Sequence, residues 1–199
     1  MKILLATTND GKLKEMKELF SKAKIKNLEL ISLNDLPKVE EPVEDGHTFF
    51  DNAYIKAVYY FNKFRIPTIS DDSGLLVKAL NYEPGIRTAR YAMQPGEKTD
   101  PVKNYTLLLS KMEGKTDRRA CFKTSMLFYD GKILISSEGK MYGLIADAPS
   151  GKNGFGYDPI FYIPKFGKTV GCMTDEEKNK ISHRAKASKV LIEKLEVYF

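Results

Sequence analysis

Histidine and cysteine are scarce in this 199-residue chain: His47 and His183 are its only histidines, Cys121 and Cys172 its only cysteines. A histidine-rich zinc site is therefore excluded, and neither C-x-x-C nor H-E-x-x-H occurs. The cysteines lie 51 positions apart and make no disulfide framework; they read as small core residues in a reducing compartment. No apolar run approaches the ~20 residues that cross a bilayer. After Lys2 the chain offers only Ile3-Leu4-Leu5-Ala6 before polar Thr7, too short for the apolar region of a secretory signal. A cytoplasmic protein with no membrane partner is the expectation. A Lys/Arg block and an RNP-like aromatic motif are also missing, which argues against a nucleic-acid partner. The G-x-x-x-x-G-K-[ST] spacing of a Walker loop and the G-x-S-x-G elbow of a serine hydrolase are absent too.

What is present is an ordinary globular composition, 42% hydrophobic and 29% charged, with 11 Tyr and 11 Phe to build a core. Thirty-two Lys and Arg against 26 Asp and Glu leave a net charge of +6, which suits an anionic ligand without separating nucleotide from nucleic acid. Residues 2 to 6 read as a buried strand, followed by helical spacing at Leu13, Met16, Leu19 and Ala23. A strand is expected at Leu28 to Leu33, then an acidic loop from Asn34 to Gly46, then a helix capped by Thr48. Ile66 to Ser70 reads as a strand ending in an acidic turn, Asp71-Asp72-Ser73-Gly74. A helix follows over Asp100 to Met112, then a hairpin turning at Asp130-Gly131, a strand at Ile160 to Ile163, and C-terminal helices introduced by the capping box of Thr174 and Glu177. Helices and strands alternate without repeat or long linker, so one α/β domain over residues 1–199 is the simplest account.

Four segments have the residue types for chemistry. Thr7-Thr8-Asn9-Asp10-Gly11-Lys12 lies between a strand and a helix start, where hydroxyls, backbone N–H groups and a lysine make a phosphate cradle. Asp71-Asp72-Ser73-Gly74 sends adjacent carboxylates in different directions, so one can face a metal or substrate; the alternative is an Asx turn. Glu40, Glu41, Glu44 and Asp45 form a second acidic cluster, and two such clusters brought together would suit Mg²⁺. Gly154-Phe155-Gly156-Tyr157-Asp158 places an aromatic between glycines, either as a stacking platform for a flat base or as the anchor of a flexible loop. Lys178, His183 and Arg184 offer donors for carbonyl or phosphate oxygens, unless the stretch is only a solvated face.

In this order the four motifs resemble the inosine triphosphate pyrophosphatase family, also called XTP/dITP diphosphatases. The resemblance covers nearly the whole length, because Glu44-Asp45-Gly46-x-Thr48-Phe49-x-x-Asn52-Ala53 and Pro84-Gly85-Ile86-x-x-Ala89-Arg90-Tyr91 also look like family segments. Thr8, Ser70 and Ala185 depart from its commoner glycine, alanine and glycine. The resemblance implies an elongated mixed β-sheet flanked by helices, two lobes with a nucleotide cleft between them, and a homodimer. It implies Mg²⁺-dependent hydrolysis of a non-standard purine nucleoside triphosphate to the monophosphate and pyrophosphate. By similarity, Thr7, Thr8, Asn9, Asp10, Gly11 and Lys12 would bind the triphosphate, and Asp72 would hold metal and accept the proton of the attacking water. Ser73 would touch substrate, Phe155, Gly156, Tyr157 and Asp158 would surround base and ribose, and Lys178, His183 and Arg184 would complete recognition. Among Glu40, Glu41 and Glu44, Glu41 is preferred as the second metal ligand.

Inosine and xanthine present a 6-keto oxygen where adenine has an amino group. Lysine, arginine and backbone donors can satisfy a carbonyl but not another donor, and each mismatch costs roughly 1 to 3 kcal/mol. Two alternatives stand beside this reading: a Maf-like pyrophosphatase for modified pyrimidine nucleotides and, with less support, a nucleic-acid-binding module.

Overall fold

The computed structural model describes residues 1–94 and 96–199. Seven strands form one mixed sheet in the order β2-β1-β3-β4-β5-β6-β7: β1 (Lys2–Leu5), β2 (Glu29–Ser32), β3 (Thr68–Val77), β4 (Arg119–Tyr129), β5 (Leu134–Ile145), β6 (Phe161–Ile163) and β7 (Lys168–Thr169). β1 runs parallel to β2 and β3, whereas β5, β6 and β7 are antiparallel. Among the described residues five helices flank it: α1 (Asp10–Phe20), α2 (Phe49–Phe64), α3 (Pro101–Lys111), α4 (Asp175–Asn179) and α5 (His183–Tyr198). The fold is α/β, as expected. Among the described residues no helix is long and apolar enough to cross a membrane.

Local chemistry accounts for most helix starts. Asn9 caps α1 by accepting from Lys12 N, Thr48 and Asp51 cap α2 reciprocally, Asp100 caps α3 with Pro101 at its first position, and Thr174 and Glu177 close the box on α4. α2 stops where Arg65 turns left-handed at φ 55°.

The chain divides into two compact units. The first comprises Met1–Asp72, Thr124–Gly139 and His183–Phe199. Its two cores explain the unbroken apolar run of β1. Ile3 and Leu5 pack with Met16 and Phe20 of α1 and Leu191 and Leu195 of α5, while Leu4 and Ala6 pack on the other face with Ile31 and Tyr60 of α2. A strand covered on both faces has no polar side to alternate with. α5 approaches β5 so closely that a Cβ on Gly139 would lie 1.9 Å from the carbonyl oxygen of His183. The second unit, Ser73–Lys123 and Lys140–Ser182, has its own core of Leu75, Val77, Leu108, Phe122, Met141 and Phe161 with their neighbours. There Arg118 donates to the carbonyls of Met112, Ile145 and Ala146, tying the end of α3 to the end of β5.

One element differs from the sequence reading. Asp71-Asp72-Ser73-Gly74 is not a turn: β3 runs through it as a ten-residue strand. The carboxylates that suggested a loop are instead satisfied by buried cations, described below. The second strand of the hairpin, β5, is long and runs through Glu138-Gly139-Lys140 to Ile145.

Candidate active site

In the first unit, β3 carries Asp71 and Asp72 as adjacent residues, so their side chains leave the strand on opposite faces. Asp71 is 2% exposed. Its Oδ2 lies 3.0 Å from Lys12 Nζ, on the first turn of α1, and accepts from Arg184 Nη2 of α5 at 3.3 Å. Arg184, itself 1% exposed, also donates through Nη1 to Glu15 of α1. Asp72 is half-buried, and its Oδ1 stands 3.7 Å from Lys56 Nζ of α2 while its Oδ2 accepts from Asn52 Nδ2 at 3.1 Å. The backbone around the two aspartates is pinned on both sides. Ser70 Oγ donates to Ala53 O of α2 at 2.6 Å, and Thr124 Oγ1 of β4 donates to Asp72 O at 3.1 Å.

Lys56 continues the network into the acidic loop, where its Nζ donates to Glu44 Oε2 at 3.2 Å. Glu44, rather than Glu41, therefore shares a cation with Asp72. Glu41 is exposed and accepts only a long hydrogen bond, 3.5 Å, from Thr8 Oγ1, and Glu40 is held through its carbonyl by Tyr59 Oη at 2.8 Å. At the start of α1, Thr7 Oγ1 accepts from Asn9 N at 3.1 Å; Thr8, Asn9 and Asp10 are exposed and Gly11 is half-buried. His183 is buried at the start of α5.

Lys12, Lys56 and Arg184 thus share one low-dielectric neighbourhood with the carboxylates of Glu15, Glu44, Asp71 and Asp72. Desolvation pulls the Lys12 ammonium below its ordinary value; Asp71 opposes the shift, while Lys56 and Arg184 reinforce it. Burial acts on Lys56 in the same direction, but Asp72, Glu44 and Asp71 outweigh it and the ammonium ends above its usual value. Asp72 is raised by burial despite Lys56 and Lys12. Desolvation of Arg184 is likewise overcome by Asp71 and Glu15, which hold its pKa up. Lys12 is the cation with the least local compensation, so a polyanion arriving at the N-terminal end of α1 would stabilise its charge.

The oxygen donors suit a hard divalent ion. Among the described residues no group of three or more His, Cys, Asp or Glu side chains gathers as a metal cage. Two carboxylates, Asp72 and Glu44, already share one positive charge in the Lys56 ammonium. Magnesium typically takes one or two carboxylates and fills its remaining positions with water and phosphate oxygens. The donor set fits that pattern, and it does not fit zinc.

The second unit carries the aromatic segment singled out from sequence. Phe155 is half-buried, and Lys178 Nζ lies 4.4 Å from its ring centroid. Lys178 is 4% exposed and pairs with Asp158 Oδ2 at 2.8 Å; the same oxygen accepts from Phe155 N at 2.8 Å. Asp158 thereby organises the loop. It also explains a glycine: Gly154 has φ +74°, and a Cβ there would lie 2.1 Å from Asp158 Oδ2. Gly156 is half-buried beside Phe155, also at positive φ. Tyr157 is a core residue, 2% exposed, whose hydroxyl donates to Thr88 O at 2.9 Å. Ser73, half-buried, is the first residue of this unit on β3.

A model of the Ham1 family matches residues 3–194. The chain belongs to the Ham1 family. Among curated relatives, the dITP/XTP pyrophosphatase of Lactobacillus acidophilus is 44% identical, covering 98% of this chain and 96% of its own. That of Geobacillus kaustophilus is 42% identical over 98% and 94%. The solved Ham1 protein of Staphylococcus aureus, 38% identical, superposes over 100% of both chains with a TM-score of 0.87. The dITP/XTP pyrophosphatase of Mycobacterium abscessus, also 38% identical, covers 98% of this chain and 100% of that one at 0.77.

Within this Ham1 chain the structure adds three residues to those singled out from sequence, Glu15, Asn52 and Lys56, and of the candidate loop acids it places Glu44 on Lys56. Lys56 and Asn52 are spaced i, i+4 on α2 and both are buried, an unusual pair of polar residues on a helix otherwise apolar at its buried positions. That polar interruption of the apolar face was the available signal.

Proposed function

We propose that this chain hydrolyses purine nucleoside triphosphates with a 6-keto base, namely dITP, XTP and ITP, to the monophosphate and pyrophosphate, with Mg²⁺ held by Asp72 and Glu44. The observation that carries the proposal is the Lys56 ammonium shared between those two carboxylates, in the same unit as Lys12 at the start of α1. Glu44 replaces Glu41 in this reading because Glu44 alone of the loop acids reaches Lys56 and, through it, Asp72. When bound, the ion supplies positive charge to the leaving pyrophosphate, which is where negative charge accumulates.

The remaining chemistry belongs to the side chains. Lys12 and the backbone of Thr8 to Gly11 hold phosphate oxygens, with the α1 N-terminus adding its dipole. Asp72 orients the attacking water and accepts its proton at a carboxylate oxygen, a task that needs position more than a near-neutral pKa. Phe155 offers a ring face to the base, and Lys178, anchored by Asp158, directs N–H donors to a keto oxygen. Against the amino group of adenine these donors meet another donor, and the roughly 1 to 3 kcal/mol cost lowers kcat/KM for ATP by about tenfold or more. Arg184 enters as the cation that fixes Asp71 and Glu15, with its guanidinium directed at carboxylates.

Products from dITP, XTP, ITP, dUTP and ATP, separated by ion-exchange chromatography with Mg²⁺ and with EDTA, test this reading. The expected result is equal amounts of monophosphate and pyrophosphate from the keto purines, abolished by EDTA. Release of orthophosphate, or a preference for dUTP, would contradict it; the second outcome would favour the Maf-like alternative.

A further inference from the structure

Three side chains of α2 hold the acidic loop in reverse order. Asn52 accepts from Gly46 N at 2.9 Å, Lys56 donates to Glu44 at 3.2 Å, and Tyr59 donates to Glu40 O at 2.8 Å. Their spacing, i, i+4 and i+7, is a single helix stripe, so the loop from Glu40 to Gly46 runs back along one face of α2. That loop has no regular secondary structure of its own between Leu36 and Gly46. Of the three, Asn52 and Lys56 also reach Asp72.

We infer that Asn52 is a positioning residue whose single amide sets both the orientation of the Asp72 carboxylate and the place of the loop that carries Glu44. The inference rests on the reading of Asp72 and Glu44 given above. Asn52 is 2% exposed, and its two polar atoms are used in opposite chemical senses: Oδ1 accepts from Gly46 N, and Nδ2 donates to Asp72 Oδ2 at 3.1 Å. Only an amide does both at this length. An aspartate retains the acceptor but sets a second carboxylate against Asp72, and alanine loses both bonds. A neutral donor also has an advantage over a second lysine. It fixes the carboxylate without compensating the negative charge that would hold a divalent ion.

The packing at Gly46 supports the assignment independently. A Cβ there would lie 2.5 Å from Asp51 Cβ and 2.7 Å from Asn52 Oδ1. The loop backbone is pressed against Asn52 at a point only two residues from Glu44, and His47 N and Thr48 N are both held by Asp51 Oδ2. Displacing Gly46 therefore displaces the tether of Glu44.

Asn52→Asp and Asn52→Ala in the full chain separate the two tasks. Hydrogen exchange of the peptide spanning residues 44–48 reads the loop, and kcat for dITP reads Asp72, with thermal melting as the check on folding. We expect N52A to raise exchange of that peptide and N52D to leave it close to wild type, because N52D keeps the acceptor for Gly46 N–H. Both should lower kcat by about 10- to 100-fold, the range for losing a hydrogen bond to a charged group, with KM within about threefold. Wild-type kcat in N52D would overturn the inference by showing that Asn52 only anchors the loop; unchanged exchange in N52A would overturn it from the other side. Asp72→Asn, assayed in parallel, distinguishes the levels. An active D72N removes the underlying reading, whereas an inactive D72N beside a fully active N52D removes only the role of Asn52.

Discussion

Replacing Asp72 by asparagine is expected to lower kcat for dITP by about 10³-fold or more while the protein melts at or above its wild-type temperature. The loss follows from removing a proton acceptor, worth about 10² to 10⁴ in rate, together with one of the two carboxylates proposed to hold the cation. The retained or raised stability follows from the surroundings. Burial already holds the Asp72 carboxyl above its ordinary pKa despite Lys56 and Lys12, so its ionised form is costly in the folded state. A neutral amide of the same shape removes that cost. It also leaves three cations facing three carboxylates. Activity near wild type in D72N would remove Asp72 from the chemistry. A large fall in melting temperature would show instead that its charge holds the fold together.

The opposite pattern is expected at Arg184. Arg184→Met removes a fully buried cation on which two carboxylates depend, Glu15 and Asp71. Breaking a buried pair by deleting one partner costs about 3 to 5 kcal/mol, because the remaining charge stays buried without its counter-ion. A domain of this size has only about 5 to 15 kcal/mol in total, so the melting temperature should fall by roughly 6 to 20 °C. Lys180→Ala, which removes an exposed pair with Glu176 on the surface, should leave melting unchanged. Differential scanning calorimetry of both variants checks the contrast. If R184M melts with the wild type, the guanidinium is not the centre of a buried network.

Features decided within a few residues were legible in the sequence. Ile3 to Ala6 gave β1, Thr48 and Thr174 gave the caps of α2 and α4, and Asp130-Gly131 gave the β4–β5 turn, because capping and turn chemistry are local. What was not legible was decided by distant partners. Two adjacent aspartates read as a turn when their counter-ions are unknown; Asp71 sits inside a strand, with Lys12 and, 113 residues later, Arg184 as its counter-ions. Glu41 and Glu44 are equivalent in sequence and are separated only by the position of Lys56. Tyr157, next to glycine in an apparent loop, is buried in the second unit's core, with its hydroxyl on Thr88 O, 69 residues earlier. The order of the four motifs conveyed the family better than any element boundary.

A single competition experiment addresses the central claim. Equimolar dITP and dATP share the sugar and triphosphate and differ at the 6-position of the base, so their relative consumption in one reaction with Mg²⁺ isolates recognition of the keto group. Chromatographic separation of dIMP and dAMP should show dIMP in about tenfold excess or more, with pyrophosphate matching total monophosphate. Equal formation of the two monophosphates, or an excess of dAMP, would contradict it.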